Sequence, residues 1–390
     1  MMALTKILIV FAVYTVYPFL ECSSKSENKT PMATSAFGMQ RMLFYKLDGT
    51  GHPYRGTIEP TPGFSATADA ERLHRAIRGA GTDENVLIQI LARRTNYERQ
   101  EICASYESLY RNKLVKDIRD DTSGEFKAVL RELTFDLPYL LAKSLYHAME
   151  GVGTNERVLI EILPILWNEE LRAVDKAYKR VLEKKGHKNT DRTLLTDITK
   201  ETSGPFKYAL QCLVQAQRDD IPYSQLKDVP TKGIDSIINR DLAERDAKEL
   251  FDVGVGRPGT NEKRMTRVIL GRTPFQLYAV NEAYKRMFAR DLTSDIKKEA
   301  SGDYRKVLLT ALRYAIDRPR MIAEWFHDAM SGIGTKDYTL MRLLITRAEI
   351  DLEDVKRAYE NLYGKSLVQK IRSETSGDYM KVFLTLLNAT

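Results

Sequence analysis

Cysteine is scarce in this chain of 390 residues: Cys22, Cys103 and Cys212 are the whole set. An odd, sparse set excludes a disulfide framework. Cys103 falls in a helical pattern and reads as a buried thiol, because free cysteine packs as a small hydrophobe. Histidine is equally thin. His52, His74, His147, His187 and His327 are scattered, no two at ligand spacing, which argues against a zinc site. No run alternates apolar and polar residues over the length of a strand. An EF-hand loop of alternating acids is missing. So are a nucleophile motif, a phosphate-cradling loop and an acid–base pair, and the chain reads as non-enzymatic. No aromatic-plus-basic stretch is built to stack bases, so no specific nucleic-acid partner is expected.

What is present is moderate positive charge. Sixty Lys and Arg against 53 Asp and Glu leave +7, spread along the chain. That balance favours anionic surfaces, such as acidic lipid or heparin-like glycan, without choosing among them. A hydrophobic content of 43% is ordinary for a globular protein. The length fits two or three domains, or one array of repeats.

Residues 1–22 have the shape of a secretory signal. Lys6 precedes an uncharged run from Ile7 to Leu20, and Cys22-Ser23-Ser24 follows. Tyr14, Tyr17 and Pro18 dilute the apolar core, and the other reading is an upstream extension with Met32 as the start. If the chain is secreted, Asn28-Lys29-Thr30 is a glycosylation acceptor.

Self-similarity reveals the organisation. Gly-x-Gly-Thr occurs at Gly79–Thr82, Gly151–Thr154 and Gly332–Thr335, with a stretched copy at Gly254–Thr260. A second signature follows each: Asp121-Thr-Ser-Gly, Glu201-Thr-Ser-Gly, Glu299-Ala-Ser-Gly and Glu374-Thr-Ser-Gly. Forty positions separate Gly81 from Asp121, Gly259 from Glu299 and Gly334 from Glu374. The second copy takes 48, from Gly153 to Glu201, and its extra residues fall around the polar loop Lys184–Asp191.

Inside a repeat the apolar spacing is helical. Val86, Leu87, Ile90 and Leu91 form one stripe; Leu114, Val115 and Ile118 another; Phe126, Val129, Leu130 and Leu133 a third. Thr82 ahead of Glu84, and Thr154 ahead of Glu156, read as helix starts. Each repeat is expected to hold about five short helices. A long connection, about Arg218 to Asn239, carries Pro222, Pro230 and Gly233 and divides the chain into two pairs of repeats. Ile234–Ile238 within it reads as an extra helical turn.

Glycines followed by a distant carboxylate suit calcium. The ion takes six to eight oxygen ligands at roughly 2.3–2.6 Å. A glycine loop can turn backbone carbonyls outward, because Gly accepts angles that other residues resist. One acid from a second loop then completes the set, leaving positions for water or lipid phosphate. Helix punctuation alone would account for any single repeat. It gives no reason for an acid two places before Ser-Gly in all four.

From about Phe64 to Leu387 these motifs resemble the annexin family. The resemblance implies an all-α, annexin-like array of four repeats, five helices each, forming a curved disc. The divisions are then 1–22 signal, 23–63 N-terminal segment, 64–135 repeat one, 136–216 repeat two, 217–240 linker, 241–316 repeat three and 317–390 repeat four. The long linker is similar to that of annexins from parasitic worms. Carried over by position, the resemblance implies four Ca2+ sites: carbonyls of Ile77, Gly79 and Gly81 with Asp121; Met149, Gly151 and Gly153 with Glu201; Gly254, Arg257 and Gly259 with Glu299; Met330, Gly332 and Gly334 with Glu374.

The family often has Lys before the first glycine. Here Arg78 stands there in repeat one, Glu150 in repeat two and Ser331 in repeat four, so repeats two and four lose a basic contact worth about 1 kcal/mol near an anionic surface. Sites one and three are therefore expected to be the stronger lipid contacts. Repeat two has Pro164, Leu166 and Trp167 where the family prefers a continuous helix carrying Arg; Arg94, Arg272 and Arg347 keep that Arg elsewhere. Pro164 is expected to kink its helix, the central channel to lose one charge, and Trp167 to be core. The function so implied is calcium-dependent binding to acidic, phosphatidylserine-like membranes. The competing reading is a helical scaffold for a protein or heparin-like glycan, with calcium secondary; self-association is a further expectation. The protein would be peripheral to the membrane, cytoplasmic or, with a working signal, secreted or at the cell surface.

Overall fold

The computed structural model describes residues 46–389, except 80, 188–190, 223–224, 226–228, 255–260 and 333. The signal reading, Cys22, the Asn28 acceptor and the third-site residues Arg257 and Gly259 lie outside the described residues.

The helices come in four blocks of five. Repeat one holds α1 (Ala66–Arg78), α2 (Glu84–Leu91), α3 (Asn96–Tyr110), α4 (Leu114–Asp121) and α5 (Gly124–Leu133). Repeat two holds α6 (Leu137–Met149), α7 (Glu156–Ile162), α8 (Asn168–Lys184), α9 (Leu194–Glu201) and α10 (Gly204–Val214). The linker contributes the short α11 (Val229–Lys232) and a 3-10 turn at Ile234–Ile237, where the extra turn was expected. Repeat three is α12 (Arg240–Val253), α13 (Glu262–Gly271), α14 (Pro274–Phe288), α15 (Leu292–Glu299) and α16 (Gly302–Ile316). Repeat four is α17 (Arg318–Ala329), α18 (Asp337–Arg347), α19 (Leu352–Tyr363), α20 (Leu367–Glu374) and α21 (Gly377–Leu386). No strand occurs among the described residues; Leu47 and Pro53 make one isolated bridge.

Local chemistry sets the boundaries. The Thr95 hydroxyl and Glu98 carboxylate cap each other's backbone to start α3. Asp83 and Asn261, each one place after a loop threonine, cap α2 and α13. Thr82 is thus not the cap that the sequence suggested; Asp83 takes that role. Pro164 ends α7 at Ile162, and the chain passes through a 3-10 turn at Leu163–Ile165 into extended backbone at Leu166.

The cores do not follow the split made by the linker. One cluster joins repeats two and three, including Leu145, Leu159 and Tyr178 with Leu250, Val280 and Leu308. The other joins repeats one and four, including Leu73, Leu87 and Leu130 with Phe326, Leu344 and Phe383. The linker therefore connects repeats that share a core. A third, small cluster of Ile221, Val229 and Phe275 gathers Leu47, Trp167 and Ile237. Trp167 lies there with its ring centroid 5.9 Å from that of Phe275. Residues 54–61 strap repeat one to repeat four. Thr57 N donates to Ala348 O at 2.7 Å, Arg55 N to Asp354 Oδ2 at 2.6 Å, and Thr61 N to Glu98 Oε1 at 2.7 Å.

Arg94 and Arg272 each pair with an aspartate eight places before the first site position: Asp69 (2.6 Å) and Asp246 (2.6 Å). The same position in repeat two is Leu141, and Leu166 replaces the arginine and is buried. Both halves of the pair have become apolar together, so no lone charge is left behind. Nearby, Arg218 Nη2 donates to Pro164 O at 2.7 Å. Burial pushes Arg218 down to about 10 and Glu170 up to about 7. The loss of charge at Leu166 is therefore offset by an arginine from beyond α10. Burial likewise pushes the Cys103 thiol up to about 12, which makes it inert at neutral pH.

Candidate metal centre

Each loop follows the first helix of its repeat, and one backbone bond closes it at the same place every time. Asp83 N donates to Ala76 O (3.0 Å), Asn155 N to Ala148 O (2.8 Å), Asn261 N to Val253 O (3.2 Å) and Lys336 N to Ala329 O (2.9 Å). The next carbonyls along belong to Ile77, Met149, Gly254 and Met330, the first proposed ligand in each site. Their neighbours supply the turn. Gly81 and Gly151 have φ +98°, Gly153 +85°, Gly332 +107° and Gly334 +82°. A Cβ on any of these five would meet nothing within 4 Å. Glycine is there for its backbone angle, not for lack of room. Gly79 is extended, and its carbonyl accepts from Gly81 N at 3.0 Å, leaving one lone pair.

The distant acid meets the loop. Thr82 Oγ1 donates to Asp121 Oδ2 and, at 3.3 Å, to its carbonyl. Thr154 Oγ1 lies 3.2 Å from Glu201 O and 3.4 Å from Oε2. Thr335 Oγ1 lies 3.4 Å from Glu374 Oε2. In repeat three a Cβ on Gly254 would fall 3.1 Å from Glu299 Cγ, so that glycine does leave space, for the acid itself. Thr82 and Thr154 thus tie loop to acid. In repeats one, two and four the loop threonine reaches the expected acid, and in repeat three Gly254 lies beside Glu299. Among the described residues no three His, Cys, Asp or Glu side chains gather around one point. A cation here would have to rely on backbone carbonyls, which is what the exposed, positive-φ glycine loops offer. One hard carboxylate with several carbonyls fits calcium.

A family model for annexins matches residues 68–133, 141–213, 245–311 and 321–386, one match per repeat. The chain belongs to the annexin family. It is 59% identical to annexin B22 of Schistosoma mansoni over 90% of this chain and 97% of that one. The calcium-bound crystal structure of annexin (Sm)1 superposes with a TM-score of 0.85 at 58% identity, covering 88% of this chain and 96% of that one. Calcium-bound alpha-14 giardin, at 16% identity and a TM-score of 0.66 over 83% of this chain and 99% of that one, shares the fold. Annexins are known for calcium-dependent binding to phospholipid, associate peripherally with membranes and are generally not enzymes. No described helix of this annexin is long and apolar enough to cross a membrane.

One turn before the site acid, this annexin carries residues that the motif search missed. Asp117, Asp197 and Asp295 are buried and accept from Tyr106, Tyr178 and Tyr284 hydroxyls. Arg192 pairs with Asp197 (2.8 Å), and Arg290 pairs with Asp295 (2.6 Å) and holds it below the usual carboxylate range. Burial, then the bond to aspartate, pushes the three tyrosines up. These braces fix the first turn of α4, α9 and α15, four places before the acid that ends each helix. Repeating the four-way alignment four places upstream would have found them. In repeat four that place is Lys370.

Proposed function

We propose that this annexin docks on membranes rich in acidic phospholipid through calcium held at four sites. Ile77, Gly79 and Gly81 carbonyls with Asp121 make the first; Met149, Gly151, Gly153 and Glu201 the second; Gly254, Arg257, Gly259 and Glu299 the third; Met330, Gly332, Gly334 and Glu374 the fourth. Bound calcium would supply the link, since ligand positions left open by the protein accept a lipid phosphate oxygen. The observation that carries this reading is the contact of loop and distant acid: threonine to acid across 39 residues in repeats one and four and 47 in repeat two, with Gly254 beside Glu299 in repeat three. The chain's own work is to present loop carbonyls, to hold one carboxylate against each set, and to sum four weak attachments into avidity. Arg78, beside the first loop and 3.2 Å from Asp117, adds a cation there, whereas Glu150 puts an anion at the second. Vesicles of phosphatidylcholine with phosphatidylserine test it by sedimentation. The protein should pellet with calcium and stay in solution with chelator. Pelleting in chelator, or retention on heparin without calcium, would favour the scaffold reading instead.

A further inference from the structure

Four places before the site acid, the fourth repeat carries a cation where the other three carry an anion; Lys200 also lies 3.4 Å from Glu201 in repeat two, but it is 81% exposed and therefore well screened by solvent. Asp117, Asp197 and Asp295 sit four places before their site acids and turn away from them, into the tyrosine and its partner. Lys370 sits four places before Glu374, and its ammonium bonds Glu374 Oε1 at 2.6 Å. Without the aspartate, Tyr359 OH is 3.5 Å from His327 Nδ1. The i, i+4 spacing on α20 makes the lysine–glutamate contact intrahelical, so it forms with little loss of chain freedom. Both side chains are about three-quarters buried, which limits screening by solvent. The lysine holds one oxygen of the carboxylate through which a calcium ion would be bound.

We propose that Lys370 is a tethered competitor for calcium at site four, so that this site fills only at calcium concentrations above those that fill the other three. This rests on the calcium reading above. To bind, calcium must displace the ammonium from Oε1 and then tolerate it nearby. A unit positive charge one carboxylate away changes the affinity for a divalent ion roughly tenfold even at the dielectric of water. Lys370 thereby makes membrane attachment graded: repeats one to three attach first, and the fourth is recruited at higher calcium.

The test uses the full chain with Asp121→Asn, Glu201→Gln and Glu299→Gln, which leaves site four alone. Calcium is titrated calorimetrically with Lys370 in place, with Lys370→Gln and with Lys370→Asp, the residue type of the other repeats. Circular dichroism checks the helix content of each. Lys370→Gln should tighten calcium roughly tenfold and Lys370→Asp at least as much, while Lys370→Arg should remain within about twofold. Equal affinities for Lys370 and its Gln and Asp variants would overturn the proposal while leaving the calcium reading intact, provided that the unaltered protein binds calcium. If the unaltered protein binds none, both fall.

Discussion

Glu161→Gln should destabilise this annexin more than any change at a calcium loop. Glu161, on α7 of repeat two, accepts from Arg342 on α18 of repeat four and, at 2.5 Å, from Arg157 one turn back. Its side chain is 2% exposed and that of Arg342 5%, so the pair lies in the seam between two repeats with little water to screen it. Burial already holds Arg342 below its ordinary range, with Glu161 acting the other way. Glutamine keeps the shape and one acceptor but removes the charge. A buried guanidinium without its counter-charge costs about 3–5 kcal/mol. Arg157, a third exposed, adds under about 1 kcal/mol. Urea unfolding followed by circular dichroism at pH 7 reads the loss as a fall in midpoint at constant slope. Replacing both residues, Glu161→Met with Arg342→Met, should recover most of it, because two apolar side chains of similar volume need no partner. A loss below about 1 kcal/mol for Glu161→Gln, or a double variant worse than the single ones, would refute this account of the seam.

Further predictions concern the centre, the strap and one site. Glu170, raised to about 7 by burial, binds a proton in the folded state that the unfolded chain has lost above about 4.5. Folded protein therefore holds more protons between those values, and stability must fall as pH rises from about 4.5 to 7. Glu170→Gln still accepts from Trp167 N, removes this titration, and should gain about 1–3 kcal/mol over the parent between pH 5 and 7.5 in urea unfolding. Gly56→Ala puts a Cβ 2.5 Å from Ala348 O and 2.7 Å from Glu349 C, both backbone. The strap should lift, and limited proteolysis should cut near residues 54–61 several times faster. Glu374→Gln should weaken metal binding at site four with helix content unchanged; a large loss of helix would make that acid structural.

The repeats, their helices and the acid that meets each loop were legible because each has a fixed spacing that survives four copies. That Pro164 disturbs α7 was legible too, since a missing N–H acts locally, but the expected kink is instead an end to the helix at Ile162. The core pairing was not. Leu145 and Leu250 pack in one cluster although the linker parts them, and nothing in a stripe of leucines says which other stripe it faces. Arg218 beside Pro164 O was hidden for the same reason, as a contact between residues 54 apart with no repeat to expose it. Thr82 looked like a cap because threonine caps helices; it is instead bonded to Asp121, and the adjacent Asp83 caps α2. The aspartate braces, and Lys370 in place of the fourth, were visible in the alignment but carried no motif. Their meaning appears only with the tyrosine or the glutamate that each one touches.

The most direct measurement is vesicle sedimentation of the chain carrying Asp121→Asn, Glu201→Gln, Glu299→Gln and Glu374→Gln together. The account predicts a variant with unchanged helix content that stays in solution with phosphatidylserine vesicles and millimolar calcium, while the parent pellets. A variant that pellets as the parent does would contradict it, because the four carboxylates would then hold no calcium that the membrane uses.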